Sequence, residues 1–156
     1  MGGKGDLYLD FIEKELLPKL KTDYFAGRLV EGAVGIGGSS LGGLISCYAL
    51  YTRPQVYKKA ICMSSSFWWN SEDFKKIVST TRTYNPSSSF YLDSGDSGPS
   101  QDSKTQTENV KAALVQKGYI EDKNLFYYLD KGGQHSESYW GKRFPIPMQY
   151  LYSSEL

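Results

Sequence analysis

The chain has 156 residues, a length that predicts one domain with a sizeable hydrophobic core. Its 18 Lys and Arg residues oppose 17 Asp and Glu residues, and this balance predicts neither a nucleic acid nor a membrane surface as partner. No apolar stretch approaches the roughly 18 residues of a membrane span and no signal peptide is recognisable, so the location in the cell stays open.

The first predicted element is an N-terminal helix. Apolar residues recur at helical spacing from Leu9 to Leu20, and Asp6 is the expected N-cap. Pro18 is expected to kink or end this helix, because proline has no backbone N–H to donate.

The most informative stretch joins a short apolar run at residues 33–36 to the sequence G-S-S-L-G at residues 38–42. An amphipathic helical pattern follows at once. This order of strand, turn and helix predicts a nucleophile elbow, in which Ser40 is strained and projects from the turn. The glycines two residues on either side would let the strand and the helix approach closely. A simple Gly- and Ser-rich loop is the alternative interpretation.

Three further apolar runs, at residues 59–63, 90–92 and 124–129, are expected strands, and helical patterns separate or follow them. Pro145 and Pro147 interrupt the last helical pattern. Strands that alternate with helices predict an α/β fold with a mostly parallel sheet and helices on both faces. Serines and aromatic residues at 64–69 indicate either a loop beside a cleft or a cap on the core.

Other chemical motifs are absent from the sequence. The glycines match neither a dinucleotide-binding motif nor a P-loop. One histidine and two scattered cysteines do not form a zinc site, and Cys47 and Cys62 are expected to be buried free thiols. We therefore expect no metal and no cofactor.

A serine nucleophile needs a base, and the base needs an acceptor that orients it. His135 is the only histidine and lies in a Gly-rich loop after the last strand. The order Ser, Asp, His, each beyond a strand, is that of the α/β-hydrolase triad. Asp93, Asp96 and Asp102 compete for the acid. Asp93 belongs to a strand end, and Asp102, directly before a helix, is favoured over Asp96, although it could instead be the N-cap of that helix.

These residues resemble the esterase D-like family of the α/β hydrolases, which includes enterochelin, feruloyl and acetylxylan esterases and mycolyltransferases. The resemblance runs nearly end to end. It rests on G-K-G-D at 3–6, F-I at 11–12, E-L-L-P at 15–18, G-S-S-L-G-G at 38–43, S-S-S-F-W-W at 64–69, Y-L-D-S-G at 91–95 and H-S-E-S-Y-W at 135–140. It implies Ser40 as nucleophile, His135 as base, Asp102 as acid and the Leu41 N–H as an oxyanion donor.

The same resemblance implies that further strands precede this segment in the complete fold. We therefore expect a single domain over residues 1–156 that forms the C-terminal portion of an α/β-hydrolase fold, with about four strands. The first strand would then have an unpaired edge, with which a second copy of the chain could pair as a homo-oligomer. The second oxyanion donor would come from a preceding loop, so this chain alone is expected to hydrolyse activated esters weakly or not at all.

The sequence thus predicts a serine esterase that hydrolyses small-molecule or sugar-linked carboxylic esters through an acyl-enzyme. Two alternatives are an acyltransferase with the same triad and a catalytically incomplete fragment or binding module. The acyl group and the alcohol cannot be identified from the sequence.

Overall fold

The structure is a computed structural model that describes residues 3–26, 28, 34–81 and 84–153. The strands in these ranges are β1 (Val34–Ser39), β2 (Tyr57–Met63), β3 (Ser89–Gly95) and β4 (Leu125–Asp130). The helices are α1 (Gly5–Phe11), α2 (Leu17–Asp23), α3 (Leu41–Thr52), α4 (Trp69–Thr80), α5 (Lys104–Gln116), α6 (Glu137–Arg143) and α7 (Pro145–Tyr152). Residue 33, where the first strand was predicted to begin, lies outside the described residues.

The four strands form one parallel sheet in the order β1-β2-β3-β4. The register places Ser39 beside Met63, Met63 beside Asp93, and Asp93 beside Tyr128. The carboxyl ends of all four strands therefore meet along one edge, where ligand-facing loops of parallel sheets lie. The predicted α/β class is confirmed.

Helices cover both faces of the sheet, as the sequence predicts. Successive side chains of a strand point to opposite faces, so Cys62 and Leu92 join the larger core beneath α3 and α5. Met63 and Tyr91 belong to the smaller core, which includes Leu151 of α7. No helix within the described ranges is both long and apolar enough to cross a membrane.

Strand β1 lies at the edge of the sheet and pairs only with β2 among the described strands. The expectation of an unpaired edge therefore holds for the part of the chain that the structure describes. A largely apolar groove of about 410 Å³ runs along β1, and its lining includes Met63, Trp140 and Phe144. Pairing of this edge with a second copy of the chain stays a prediction.

The predicted N-cap of the N-terminal helix is wrong. The N-cap is Lys4, and Asp6 instead lies in the first turn, where its side chain accepts a hydrogen bond from the Tyr48 hydroxyl. Pro18 was expected to kink or end the helix, and it does not end it. It lies near the start of α2, directly after a π-helical turn at Ile12–Leu16, a local departure from α-helical geometry of the kind that accompanies kinks.

The prediction of two free thiols is also wrong, because Cys47 of α3 and Cys62 of β2 form a disulfide. Both side chains are completely buried in the larger core. Their Cα atoms are 6.0 Å apart, a separation typical of bridged cysteines. Packing of α3 on β2 brings the two cysteines together. Their separation of 15 residues in the sequence does not by itself predict the disulfide.

Candidate active site

Ser40 occupies the sharp turn between β1 and α3, and its φ of +57° lies in a region that a side chain rarely adopts. Hydrogen bonds on both sides hold the turn. The Ser40 N–H donates to the Met63 carbonyl at 3.0 Å, and the Leu44 N–H donates to the Ser40 carbonyl at 3.1 Å. Strained backbone of this kind persists only where surrounding contacts such as these hydrogen bonds hold it in place. Ser40 therefore occupies a strained junction between a strand and a helix, and its role as a nucleophile elbow stays a prediction.

The close approach of β1 and α3 depends on Gly38. A Cβ at this position would lie 2.8 Å from the Gly42 carbonyl carbon, whereas a Cβ on Gly42 itself meets nothing within 4 Å.

We expect Gly38→Ala to displace the turn at Ser40, lower the melting temperature and abolish reaction at Ser40. Gly42→Ala is expected to have little effect. Thermal unfolding and active-site labelling of both variants test this contrast. Equal tolerance of the two alanines would contradict it.

The structure brings Ser40, His135 and Asp102 together at the carboxyl edge of the sheet. The His135 Nε2 atom lies 3.0 Å from the Ser40 Oγ atom, and the Nδ1 atom lies 2.6 Å from the Asp102 Oδ1 atom. A carboxylate can only accept, so Nδ1 donates to Asp102 and Nε2 is left to accept the Ser40 proton. The Asp102 carboxylate is fully buried, while one third of the His135 side chain is exposed.

Asp102 lies in a left-handed turn, Gln101–Ser103, in which all three residues have φ near +50°. This turn directs its carboxylate back toward the end of β3. The Oδ2 atom accepts the Gly95 N–H at 2.6 Å and the Ser64 hydroxyl at 2.5 Å. Asp102 is not the N-cap residue, because Ser103 lies between it and α5.

The two other candidate acids have different partners. Asp96 accepts the Gly132 N–H at 2.7 Å and makes no described contact with His135. Asp93 is completely buried and accepts hydrogen bonds from the Ser64 N–H, the Tyr91 hydroxyl and Arg143. Burial raises the pKa of Asp93 to about 6, although the Arg143 cation opposes this shift. Of the three candidate carboxylates, only that of Asp102 has a described contact with the imidazole.

Sequence reasoning did not single out several residues that surround this chain of contacts. The Ser66 hydroxyl lies 3.1 Å from the Ser40 hydroxyl, and the Ser66 N–H donates to the Ser40 carbonyl. The Trp140 ring stands edge-on to the His135 imidazole at 4.9 Å between centroids. A guanidinium nitrogen of Arg143 lies 3.7 Å from the Asp102 Oδ2 atom. Ser66 lies in the S-S-S-F-W-W stretch and Trp140 in the H-S-E-S-Y-W stretch that carry the family resemblance, but no motif includes Arg143.

A second cavity, of about 560 Å³, lies beside the elbow. Its lining includes Leu41, Tyr48 and Trp69, together with the segment that enters α1. Phe67 from the same aromatic run is buried in the core, so the run both lines a cavity and caps the core. Among the described residues, no group of three or more His, Cys, Asp and Glu side chains could hold a metal ion.

Comparisons with known proteins agree with this architecture. A family model described as "Putative esterase" matches residues 1–150. Uncharacterized protein YbbA of Bacillus subtilis is 27% identical over 157 residues, which is 97% of this chain and 61% of that protein. Siderophore triacetylfusarinine C esterase of Aspergillus fumigatus is 41% identical over 69 residues, which is 44% of this chain and 23% of that protein. The enterobactin esterase FES from Shigella flexneri, solved in the presence of enterobactin, has a TM-score of 0.81 at 18% identity, covering 97% of this chain and 38% of that one.

The four-stranded parallel sheet and its flanking helices define an α/β-hydrolase-type fold. Within that class, the chain belongs to the putative esterase family. It spans less than two thirds of the length of the relatives named above.

Proposed function

We propose that this protein hydrolyses carboxylic esters through an acyl-enzyme on Ser40. One observation carries the proposal, namely the continuous hydrogen-bonded chain from Asp102 through His135 to Ser40 at the carboxyl edge of the sheet. The strained turn supports it, because it presents the hydroxyl at the N-terminus of α3. Membership of an esterase family supports esters as the substrate class.

The geometry suggests how the reaction proceeds. The Ser40 Oγ atom attacks the ester carbonyl carbon while its proton moves to the His135 Nε2 atom, and Asp102 stabilises the imidazolium. The Leu41 N–H is the first of α3, so it has no partner within the helix and can donate to the oxyanion. The carbon–oxygen bond breaks, His135 returns the proton to the departing alcohol, and water then releases the acid from Ser40 by the reverse proton path.

The cavity beside Leu41 is the proposed location of one half of the substrate. Tyr48 and Trp69 offer aromatic surface, and Lys4 and Asp73 add charged groups at its margin. Relatives named as esterases of the siderophores triacetylfusarinine C and enterobactin support small-molecule esters as the substrate class. We therefore propose a small-molecule ester, including sugar-linked esters, as the substrate.

A hydrolysis panel tests this function. The chain and a version extended upstream in its gene are incubated with p-nitrophenyl acetate, a feruloyl ester, an acetylated sugar and a siderophore ester, each alongside Ser40→Ala. We expect one acid released for each alcohol, and no release by Ser40→Ala above buffer. Alcohol release without free acid would indicate acyl transfer to another alcohol. No release from any ester by either version would contradict the proposal.

A further inference from the structure

Arg143, at the end of α6, is buried directly behind the candidate triad. Its side chain is 3% exposed. One nitrogen donates to Asp130 at 3.0 Å, and the other donates to Asp93 at 3.1 Å and to the Ser64 hydroxyl at 2.6 Å. The second nitrogen also lies 3.7 Å from the Asp102 Oδ2 atom. The guanidinium therefore connects the carboxyl ends of three neighbouring strands, β2, β3 and β4.

The contacts of Ser64 have only one consistent arrangement of protons. A guanidinium is always protonated and can only donate, so the Ser64 oxygen accepts from Arg143. The single hydroxyl proton is then directed to the Asp102 Oδ2 atom, 2.5 Å away. Ser64 itself has a φ of +41°, and its N–H donates to the Asp93 carboxylate at 2.9 Å. Arg143 and Asp93 thus hold Ser64 in a strained position that suits Asp102.

This arrangement determines which oxygen of Asp102 meets the imidazole. The Oδ2 atom receives the Ser64 O–H and the Gly95 N–H, which leaves Oδ1 for His135. Every described contact to the carboxylate comes from a donor, as an ionised acid requires. Without the Ser64 contact, the Oδ2 atom would keep the Gly95 N–H as its only described hydrogen bond, with the Arg143 guanidinium 3.7 Å away.

We propose that Arg143 is a positioning residue for the proposed esterase reaction: acting through Ser64, it orients the Asp102 carboxylate toward His135. This inference rests on the proposed function, but the orientation can be measured without any ester. Burial alone would lower the pKa of Arg143, yet the surrounding Asp93, Asp130 and Asp102 carboxylates raise it, so the cation persists.

The first test uses the fact that His135 is the only histidine of the chain. Proton NMR with ¹⁵N-labelled histidine reports the Nδ1–H bonded to Asp102 without overlap. We expect a strongly downfield Nδ1–H signal in the unmodified chain, and its loss or upfield movement in Ser64→Ala and Arg143→Met. The matched control is Arg53→Met, because Arg53 also pairs with three carboxylates (Asp6, Asp10 and Glu13), and none of these four residues has a described contact with Ser40, His135 or Asp102.

The second test measures the single-turnover rate at which a p-nitrophenyl phosphonate labels Ser40. Ser64→Ala and Arg143→Met are each expected to slow labelling about ten- to a hundredfold, a loss typical of removing an outer partner that orients a functional group. The double variant should label only slightly more slowly than the slower single variant. The two losses should not add, because Arg143 acts on Asp102 through Ser64. Arg53→Met should label at the unmodified rate.

A purely structural Arg143 would give a different pattern. Arg143→Met would then melt at a lower temperature but keep the His135 signal and the labelling rate, which would overturn the inference. If Arg143→Met does not fold, Ser64→Ala decides: unchanged signal and rate overturn the proposal, and their loss supports it. Failure of the unmodified chain to label would count against the proposed function, while the NMR comparison would still test the positioning.

Discussion

In the version extended upstream in the gene, replacing Ser40 by alanine is expected to reduce ester hydrolysis by about four to six orders of magnitude, the loss typical of removing the nucleophile from a complete serine triad. The hydroxyl is 3.0 Å from the only imidazole of the chain. Without it, His135 can only activate water inefficiently. The measurement is kcat/KM for p-nitrophenyl acetate, with circular dichroism to show that the variant is folded.

Ser39 provides the matched control for this prediction. It is the neighbouring serine at the end of β1, and it pairs with Met63 in the sheet rather than contacting His135. Ser39→Ala is expected to keep most of the activity. Similar losses for the two alanines would show that the elbow, not the Ser40 hydroxyl, is what the reaction requires.

Replacing Asp102 by asparagine is expected to cost about ten-thousandfold in kcat, because the imidazole is then held in the wrong tautomer. The Ser64 O–H and the Gly95 N–H both donate to Oδ2, so an asparagine would place its carbonyl oxygen there. Its NH₂ group would then face His135 and donate to Nδ1. The remaining ring proton moves to Nε2, which can no longer accept the Ser40 proton.

Asp96→Asn is the control for the acid, since Asp96 accepts only the exposed Gly132 N–H among its described contacts. We expect its kcat to stay near that of the unmodified chain. The ¹⁵N signals of the lone histidine should show the Nε2–H tautomer in Asp102→Asn and the Nδ1–H tautomer in Asp96→Asn. A larger loss in Asp96→Asn would reassign the acid to that residue.

The fold and the meeting of Ser40, His135 and Asp102 at one edge of the sheet could be predicted, because each depends on a local pattern. Apolar runs predict buried parallel strands, and the G-x-S-x-G motif predicts the elbow at Ser40. His135 stands out because no other histidine competes with it. Asp102 was favoured over Asp96 because Asp102 lies directly before a helix in the sequence. In the structure, Asp102 is the one of these two residues whose carboxylate contacts His135.

The features that sequence reasoning missed depend on contacts between distant segments. Arg143 lies 50 positions from Asp93 and 79 from Ser64, and no spacing indicates that they meet. The disulfide between Cys47 and Cys62 likewise results from packing of a helix on a strand. The helical path likewise continues past Pro18 after a π-helical turn that no local pattern indicates.

The most direct test of an acyl-enzyme on Ser40 is to trap it. The chain is mixed with p-nitrophenyl acetate, quenched in acid and mapped by peptide mass spectrometry. The number of acetyl groups on each peptide can be measured even when turnover is slow. We expect one acetyl group on the peptide that contains Ser40, and no acetyl group on that peptide in Ser40→Ala or His135→Ala. Release of p-nitrophenol with the acetyl group on another residue, or with no acetylated peptide at all, would contradict it.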